Sequence, residues 1–334
     1  MAKKTSVKVP YIYAVLFTVS GFAISILINL LYPQKAADVA FKSYDIPFLT
    51  LNANDLYITV LALLITGFAV SGIIAHRSDI TSASYRNKAK LRFAAGLLLG
   101  VLDIAGTKEK ILPQPFFPGP VEILEPFLSE GDFIAENLLY SLRLYIFGFF
   151  FGAFFGIGTG ILIGWFDNVH FWVNPILELT GVIPAVAWMP FALTLCPTPF
   201  SAAVFLIVIC VWFPIASLTA AGIRSTPKAL YEAAGILGGK SSFLLFHVAV
   251  PHAMPQIFTG LCTANAYAFT TLVMAEMLGQ PGGLGYYINL SKVWSSYNKV
   301  FTAILIMAVL FSIILKVLKL IESYVLRWQK GVVK

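Results

Sequence analysis

The sequence predicts an all-α protein that crosses a membrane many times. Three observations carry that reading. Of the 334 residues, 58% are hydrophobic and only 12% are charged, with a mean hydropathy of +0.83; a soluble domain runs nearer 25% charged. Eight stretches approach the roughly twenty apolar residues that a helical span needs. The basic residues gather at one end of those stretches and most acidic residues at the other. The net charge of +7 is therefore read through topology and not as a nucleic-acid footprint.

The expected spans are 11–31, 56–75, 91–105, 140–165, 174–195, 201–223, 255–278 and 301–326. The opening MAKKTSVKVP precedes an apolar run too long for a secretory signal core, so 11–31 is read as a retained span. The stretch 91–105 is the weakest, and charge placement argues for it. With eight spans, Lys3, Lys4 and Lys8, then Arg77, Arg86, Lys88, Lys90 and Arg92, then Arg224, Lys228 and Lys240, and finally Lys316, Lys319, Arg327, Lys330 and Lys334 share one side. That side is cytoplasmic by the positive-inside rule, and both termini lie on it. Asp38, Asp45, Asp55, Glu122, Glu125, Glu130, Asp132 and Glu136 take the opposite side. Without the third span, two basic loops would fall on opposite faces.

Between the third and fourth spans, 111–120 is proline-rich and extended. It leads into an amphipathic segment over 121–128. The fourth span carries Gly148, Gly152, Gly156, Gly160 and Gly164 at every fourth position, with Gly158 beside them. Small residues at that spacing let helix backbones approach closely in lipid; the partner is a helix of the same chain or of a second copy. The fifth span holds Pro184 and Pro190 six residues apart. Interior prolines free carbonyls and break a helix, and such breaks survive in a membrane where they are buried in protein or line a cavity. Pro184 and Pro190 are therefore candidate pathway residues; Glu178 and Trp188 of the same span join them through the family resemblance given below. Glu276 near the end of the seventh span is costly in lipid, roughly 3 kcal/mol. It is read as a gate or hydrogen-bond anchor, or as a carboxylate at the interface reaching water.

The long polar interruption is 225–251, STPKALYEAAGILGGKSSFLLFHVAVP. Thr226 is a candidate cap, with Pro227 at the first helical position. Leu230, Ala233, Ala234 and Leu237 share one face of a short helix, which Gly238 and Gly239 end through a left-handed cap. Ser241 or Ser242 is expected to cap a second short helix that stops before Pro251. Two capped helices between spans suggest a contact with a partner. Ala234, Gly239, Lys240 and Ser241 also fit the loose pattern of a phosphate-binding P-loop. That reading fails because a P-loop needs a preceding β-strand and a domain to hold it. Cys196, Cys210 and Cys262 lack metal or redox spacing. His76, His170, His247 and His252 are scattered, and the last two are five apart rather than four.

Glu232-Ala233-Ala234, Gly238, and Val248-x-Val250-Pro251 resemble the EAA loop of ABC-importer permeases, E-A-A-x3-G-x9-I-x-L-P, without a gap. Pro175, Glu178, Ile183, Pro184, Ala187, Trp188 and Pro190 are similar to a proline-rich segment of the nitrate/sulfonate/taurine branch. Gly181 and the Cys-Pro-Thr-Pro after Leu195 depart from it. Leu112-Pro113 and the A-E-M-L-G turn at 275–279 resemble further family segments. The likeness covers about 90–328.

The resemblance implies a type I importer permease bundle in the inner membrane, with a six-span core over 91–334 and an N-terminal extension over 1–90. It implies a coupling loop over 224–253, with Leu230, Tyr231, Glu232, Ala233, Ala234, Gly235, Leu237, Gly238 and Pro251 against a separate ABC ATPase. ATP and Mg belong to that partner, and no cofactor to this chain. An extracytoplasmic solute-binding protein and a permease homodimer are the other implied partners. The implied cargo is a small oxyanion, sulfonate or similar solute. Arg143, near the outer end of the fourth span, is either an anion attractor or a snorkelling anchor. The alternative to an importer is an ATP-independent secondary transporter or channel, which predicts intramembrane ionisable relays and inverted repeats. An embedded enzyme would need a catalytic cluster that the sequence lacks.

Overall fold

The computed structural model describes residues 11–33, 43–46, 49–77 and 79–331. Lys3, Lys4, Lys8, Asp38 and Lys334, which enter the charge argument, lie outside them. The chain forms two compact units: Met1–Gly131 with Ser291–Thr302, and Asp132–Leu290 with Ala303–Lys334.

The first unit holds α1 (Tyr11–Leu31), a small antiparallel hairpin of β1 (Tyr44–Ile46) and β2 (Leu49–Leu51), α2 (Ala53–Ala75) and α3 (Asp79–Leu102). Asn52 caps α2, its side chain accepting the Asp55 N–H at 2.8 Å while Asp55 answers the Asn52 N–H, so two orphan donors are satisfied reciprocally. Helix α3 runs parallel to α1. Phe17 stacks on Phe93 with ring centroids 4.3 Å apart, Gly21 meets Phe93 and Gly96, and Ser25 meets Gly100. Asn29 then donates to Asp103 at 2.8 Å. The approach depends on small residues, because a Cβ on Gly96 would stand 2.5 Å from the Gly21 backbone. Helix α2 runs the other way, with Tyr11 donating to the Gly72 carbonyl and Asn29 to Asn54.

Beyond α3 a π-helical turn (Asp103–Lys108) leads to the proline-rich stretch and to α4 (Pro120–Leu124) and α5 (Pro126–Ser129). The single amphipathic segment expected over 121–128 is thus two short helices, divided where Pro126 has no N–H to continue the first. The segment Ser291–Thr302 joins this unit through an ion pair between Lys299 and Glu130 and a bond from Thr302 to the Ile123 carbonyl. The Tyr44 hydroxyl donates to Glu125. Burial, and then that carboxylate, push the Tyr44 phenol up to about 12.

The second unit is built on α6 (Gly131–Trp165) and α9 (Pro199–Arg224). Gly148 faces Ile207, Gly152 faces Val211, Gly156 faces Ile215, Gly160 faces Thr219 and Gly164 faces Ile223. Both numbers rise by four at each step, so the helices are parallel, and the glycine stripe packs within the chain. Gly158 lies off the stripe with nothing within 4 Å of its would-be Cβ. Between them come α7 (Asp167–Val182), a 3-10 turn (Ala185–Trp188) and α8 (Met189–Leu195), bent by 103° at the break. Asp167 lies beside Arg224, and Gly181 beside Phe213, so α7 runs back along α9. Because α6 and α9 are parallel, the bent pair has to make one full return crossing.

Next come α10 (Lys228–Ile236), α11 (Ser241–Phe243), a π-helical turn (Leu244–Ala249) and α12 (Val250–Gly279). Helix α12 lies antiparallel to α9: Ala253 touches Gly222, Gly260 touches Ile215, and Gln280 donates to the Pro199 carbonyl at 2.6 Å. Leu144, Ile207, Val211, Ile215, Ala268 and Leu272 form the centre of the core. Helices α13 (Leu284–Val293) and α14 (Tyr297–Val325) complete the chain, and Phe311 of α14 packs on Phe269.

Among the described residues, six helices are long and apolar enough to cross a membrane, or seven when the bent pair is one span. The sequence expectation was eight, and the difference is α3. Arg86, Lys88, Lys90 and Arg92 in its first half keep it outside a test of length and composition. Its residues 85–103 nevertheless lie alongside 11–29 of α1 in the same direction. The boundary expected at residue 90 falls inside α3, which continues through it unbroken. The division between the two compact units lies at Gly131, after α3.

Candidate functional site: the α10 loop and the turn after α12

Helix α10 stands clear of the spans. Its N-cap is Pro227, at φ −60° and ψ 136°, with Lys228 the first helical residue. Thr226 is therefore not the cap that the sequence suggested. It is drawn in under the end of α9, only 6% exposed, and its hydroxyl has no partner among the described residues. The expected left-handed stop is present. Gly238 has φ +85°, its N–H bonds the Gly235 carbonyl, and Gly239 N–H bonds the Ala234 carbonyl at 3.0 Å. This pair of bonds is a Schellman motif.

Tyr231 turns inward, its ring edge against Trp165 at 5.8 Å, and packs with Ile223, Leu245 and Ala249. Glu232, Ala233 and Gly235 face outward, and Ala234 is half-buried. Leu230 is exposed, while Ile236 and Leu237 at the tip are 87% and 88% exposed.

The expected second short helix does not stop before Pro251. Helix α11, the π turn and α12 form one continuous rod over Ser241–Gly279. The π turn is the reason. Val250 N–H reaches back five residues to the Leu245 carbonyl. This widening precedes Pro251, where an α-helical turn would bring the ring against a carbonyl four residues earlier. The P-loop alternative meets a helix, not a strand, ahead of Gly239.

At the other end of α12 the chain folds back onto Glu276. This carboxylate is 1% exposed and accepts the Gly285 N–H at 2.8 Å. Asn137 accepts the Gly283 N–H at 2.9 Å and Ser141 accepts the Leu284 N–H at 2.8 Å. Gly283 has φ +111°, and a Cβ there would lie 2.4 Å from the Glu276 carboxyl carbon. Three consecutive buried N–H groups are thus held by three side chains, which is the geometry of an anchor rather than of a carboxylate reaching water. Tyr140 and Gln280 brace the turn, with the phenol donating to the amide oxygen at 2.9 Å.

The break in the bent pair packs nearby, with Met189 against Gly279. Trp188 is half-buried against the core and its indole N–H has no partner among the described residues. Pro184 and Pro190 are exposed. Glu178 is not gathered with them. It is exposed on α7, where Asn174 donates to it at 2.7 Å. Asn137 and Ser141 escaped the sequence reading. Their signal is position: with Tyr145 they repeat every four residues on α6, one residue out of step with the glycine stripe and on nearly the same face.

A profile of the family described as binding-protein-dependent transport system inner membrane component matches residues 152–328, more than half of the chain. The chain belongs to this family. It is thus an integral inner-membrane permease. It is 30% identical over 200 residues to the nitrate import permease protein of Synechococcus elongatus, covering 56% of this chain and 70% of that one. It is 28% identical over 221 residues to the taurine transport system permease protein of Escherichia coli, covering 64% and 80%. A solved structure of the methionine ABC transporter MetNI in inward-facing conformations shares the fold, with a TM-score of 0.51 and 21% identity, over 60% of this permease and 98% of that chain. The matched segment contains α7 to α12, hence both the α10 loop and the Glu276 turn; residues 1–151 lie outside it.

Proposed function

We propose that this permease supplies one half of the translocation path of an ABC importer for a small anionic solute, and takes its drive from a separate ATPase through α10. The observation that carries the reading is α10 itself. It is a nine-residue helix beyond the ends of α9 and α12, closed by a fixed left-handed turn, with Ile236 and Leu237 at its tip almost wholly exposed. An apolar tip of this size is unfavourable in water, and burial against a partner removes that cost. Glu232 on the same helix is exposed and free to meet a basic or hydroxyl group of the partner. ATP and Mg are then handled by the ATPase, and this chain is not itself an enzyme.

Names of relatives support the solute class, since nitrate and taurine both carry an oxyanion. A solute-binding protein would deliver the solute from outside, and two copies of the permease would enclose the path. The bent pair and α12 are the elements proposed to rearrange between inward and outward states. With α3 counted as a crossing, the positive-inside reading of the basic residues supports a cytoplasmic position for α10.

The test is affinity purification of the tagged permease from its native membrane in mild detergent. A stoichiometric ATPase supports the reading. A permease that emerges alone, even after crosslinking, removes it in favour of an ATP-independent transporter.

A further inference from the structure

Helix α12 is packed on three sides. Ala253 and Gly260 meet α9, Asn265 takes the Tyr145 hydroxyl of α6, and Phe269 packs on Phe311 of α14. The fourth side is exposed and carries Thr259, Thr263, Tyr267 and Thr270, spaced so as to share one face. Helix α14 repeats the pattern. Ile314 packs on the core, and Ile313, Val317, Leu320 and Ile321 form an exposed apolar side suited to lipid. Between those two sides run Ser312, Lys316, Lys319 and Ser323, all exposed. The helices are antiparallel: Phe269 meets Phe311, while Cys262 lies within electrostatic reach of Lys319. On each helix the polar side follows the contact by one residue, Thr263 after Cys262, Thr270 after Phe269 and Ser312 after Phe311, a rotation of about 100°. Equal rotations on antiparallel neighbours bring both polar sides to the same side of the pair.

This strip lies deep. Cys262 stands roughly 18 Å along α12 from Val250 and roughly 26 Å from Gly279, so Lys319 sits beside the middle of a span. Lys316 lies about one turn farther from the end of α14. Neither ammonium has an ion pair among the described residues. The carboxylate nearest in sequence, Glu322, is half-buried and also within reach of Cys262. The threonines alone could face lipid, because Thr259, Thr263 and Thr270 donate to carbonyls four residues back at 2.9, 2.9 and 3.1 Å. The lysines could not. Snorkelling serves residues near a helix end, and charges farther in face protein or a water-filled space. We infer that this shared strip is the wall along which the solute passes, with Lys316 and Lys319 drawing an oxyanion to it. The threonine hydroxyls turn from their carbonyls to bond the anion in passing. The strip rests on the reading of the chain as half a path for an anionic solute, and it names the residues that make the path selective. Flexible ammonium groups and hydroxyls that already have partners hold an anion weakly, as a route that must release its cargo requires.

The experiment uses the full-length permease in membrane vesicles opened to reagent on both faces, with Cys196, Cys210 and Cys262 replaced and Thr263→Cys introduced. The probes are two impermeant methanethiosulfonates, one carrying a sulfonate and one a trimethylammonium group, each rate being divided by that for free cysteine. Phe154→Cys, on the exposed phenylalanine side of α6, is the lipid-facing control. Thr263→Cys is expected to react with both probes, and about tenfold faster with the sulfonate, the scale of focusing by a charged cleft. Phe154→Cys is expected to react with neither. Lys316→Gln with Lys319→Gln should abolish the preference, and Lys316→Arg with Lys319→Arg should keep it. An unchanged rate with neutral methyl methanethiosulfonate shows that the glutamine variant is folded. Thr263→Cys as inert as Phe154→Cys, a preference that survives loss of both lysines, or a disulfide between two copies in place of labelling overturns the inference. An anion preference without a copurifying ATPase leaves the strip standing and removes only the importer reading; an ATPase with an inert Thr263→Cys does the reverse.

Discussion

Position 238 stands at φ +85°, where any side chain pays a steric penalty and glycine does not. Gly238→Ala is expected to cost about 1 kcal/mol locally, to fray the tip of α10 and to lower ATPase copurification. Glu232→Ala is expected to lower copurification with the helix intact, and membrane insertion should be unchanged in both. Unaltered copurification would count against α10 as the contact. At the other end of α12, Glu276→Gln keeps an acceptor for the Gly285 N–H, whereas Glu276→Leu leaves it buried and unpaired at a cost of about 1–3 kcal/mol. A thermal melt in detergent should therefore place Glu276→Gln well above Glu276→Leu; equal melting would deny the anchor. The left-handed stop at Gly238 was legible, because a glycine pair follows a helical run. The one at Gly283 was not. Gly279, Gly282, Gly283 and Gly285 look alike in the sequence, and the choice is made by Asn137 and Ser141, more than 140 residues away.

Among the helices, the α6 stripe gives the sharpest contrast. Gly156→Val would set new atoms within van der Waals distance of Ile215, whose Cβ already lies 2.9 Å from an added Cβ. Gly158→Ala meets nothing within 4 Å and gains helix propensity, up to about 1 kcal/mol. Folded yield should fall sharply for the first and hold or rise for the second; equal yields would dissolve the packing argument. The stripe was plain in the sequence, but its partner was left open between the same chain and a second copy. The answer lies in α9, where Ile207, Val211, Ile215, Thr219 and Ile223 repeat at the same interval and supply the branched side chains that fill a glycine groove. Pro251 misled for a physical reason. A proline ends an α-helix by clashing with the carbonyl four residues back, and a π turn moves that carbonyl aside. No local composition distinguishes the two outcomes.

For the molecule as a whole, the disposition of α3 decides the topology. Ser84 is exposed on α3 near its basic residues. In a background with Cys196, Cys210 and Cys262 replaced, Ser84→Cys should react with an impermeant maleimide only after the cytoplasmic face is opened. Reaction in intact cells would remove α3 as a crossing and reverse the sides assigned to everything before it. Membrane class and the α10 loop were legible because hydropathy and a spaced motif are local. The division at Gly131 was not, since it depends on α3 lying along α1, and only paired small residues on two distant segments encode that contact. The rod over Ser241–Gly279 carries a last consequence. At 39 residues it is about 58 Å long, with α10 hinged to one end and the Glu276 turn bolted to the other. Its compliant part, the π turn with Pro251 and Pro255, is confined to the first fifteen residues. The remainder is an unbroken helix, stiff in compression and torsion. On the proposed coupling through α10, a displacement imposed there is either absorbed within that short spring or delivered whole to the far turn, so stiffening the spring, for example by Pro251→Ala, should change how much of it arrives.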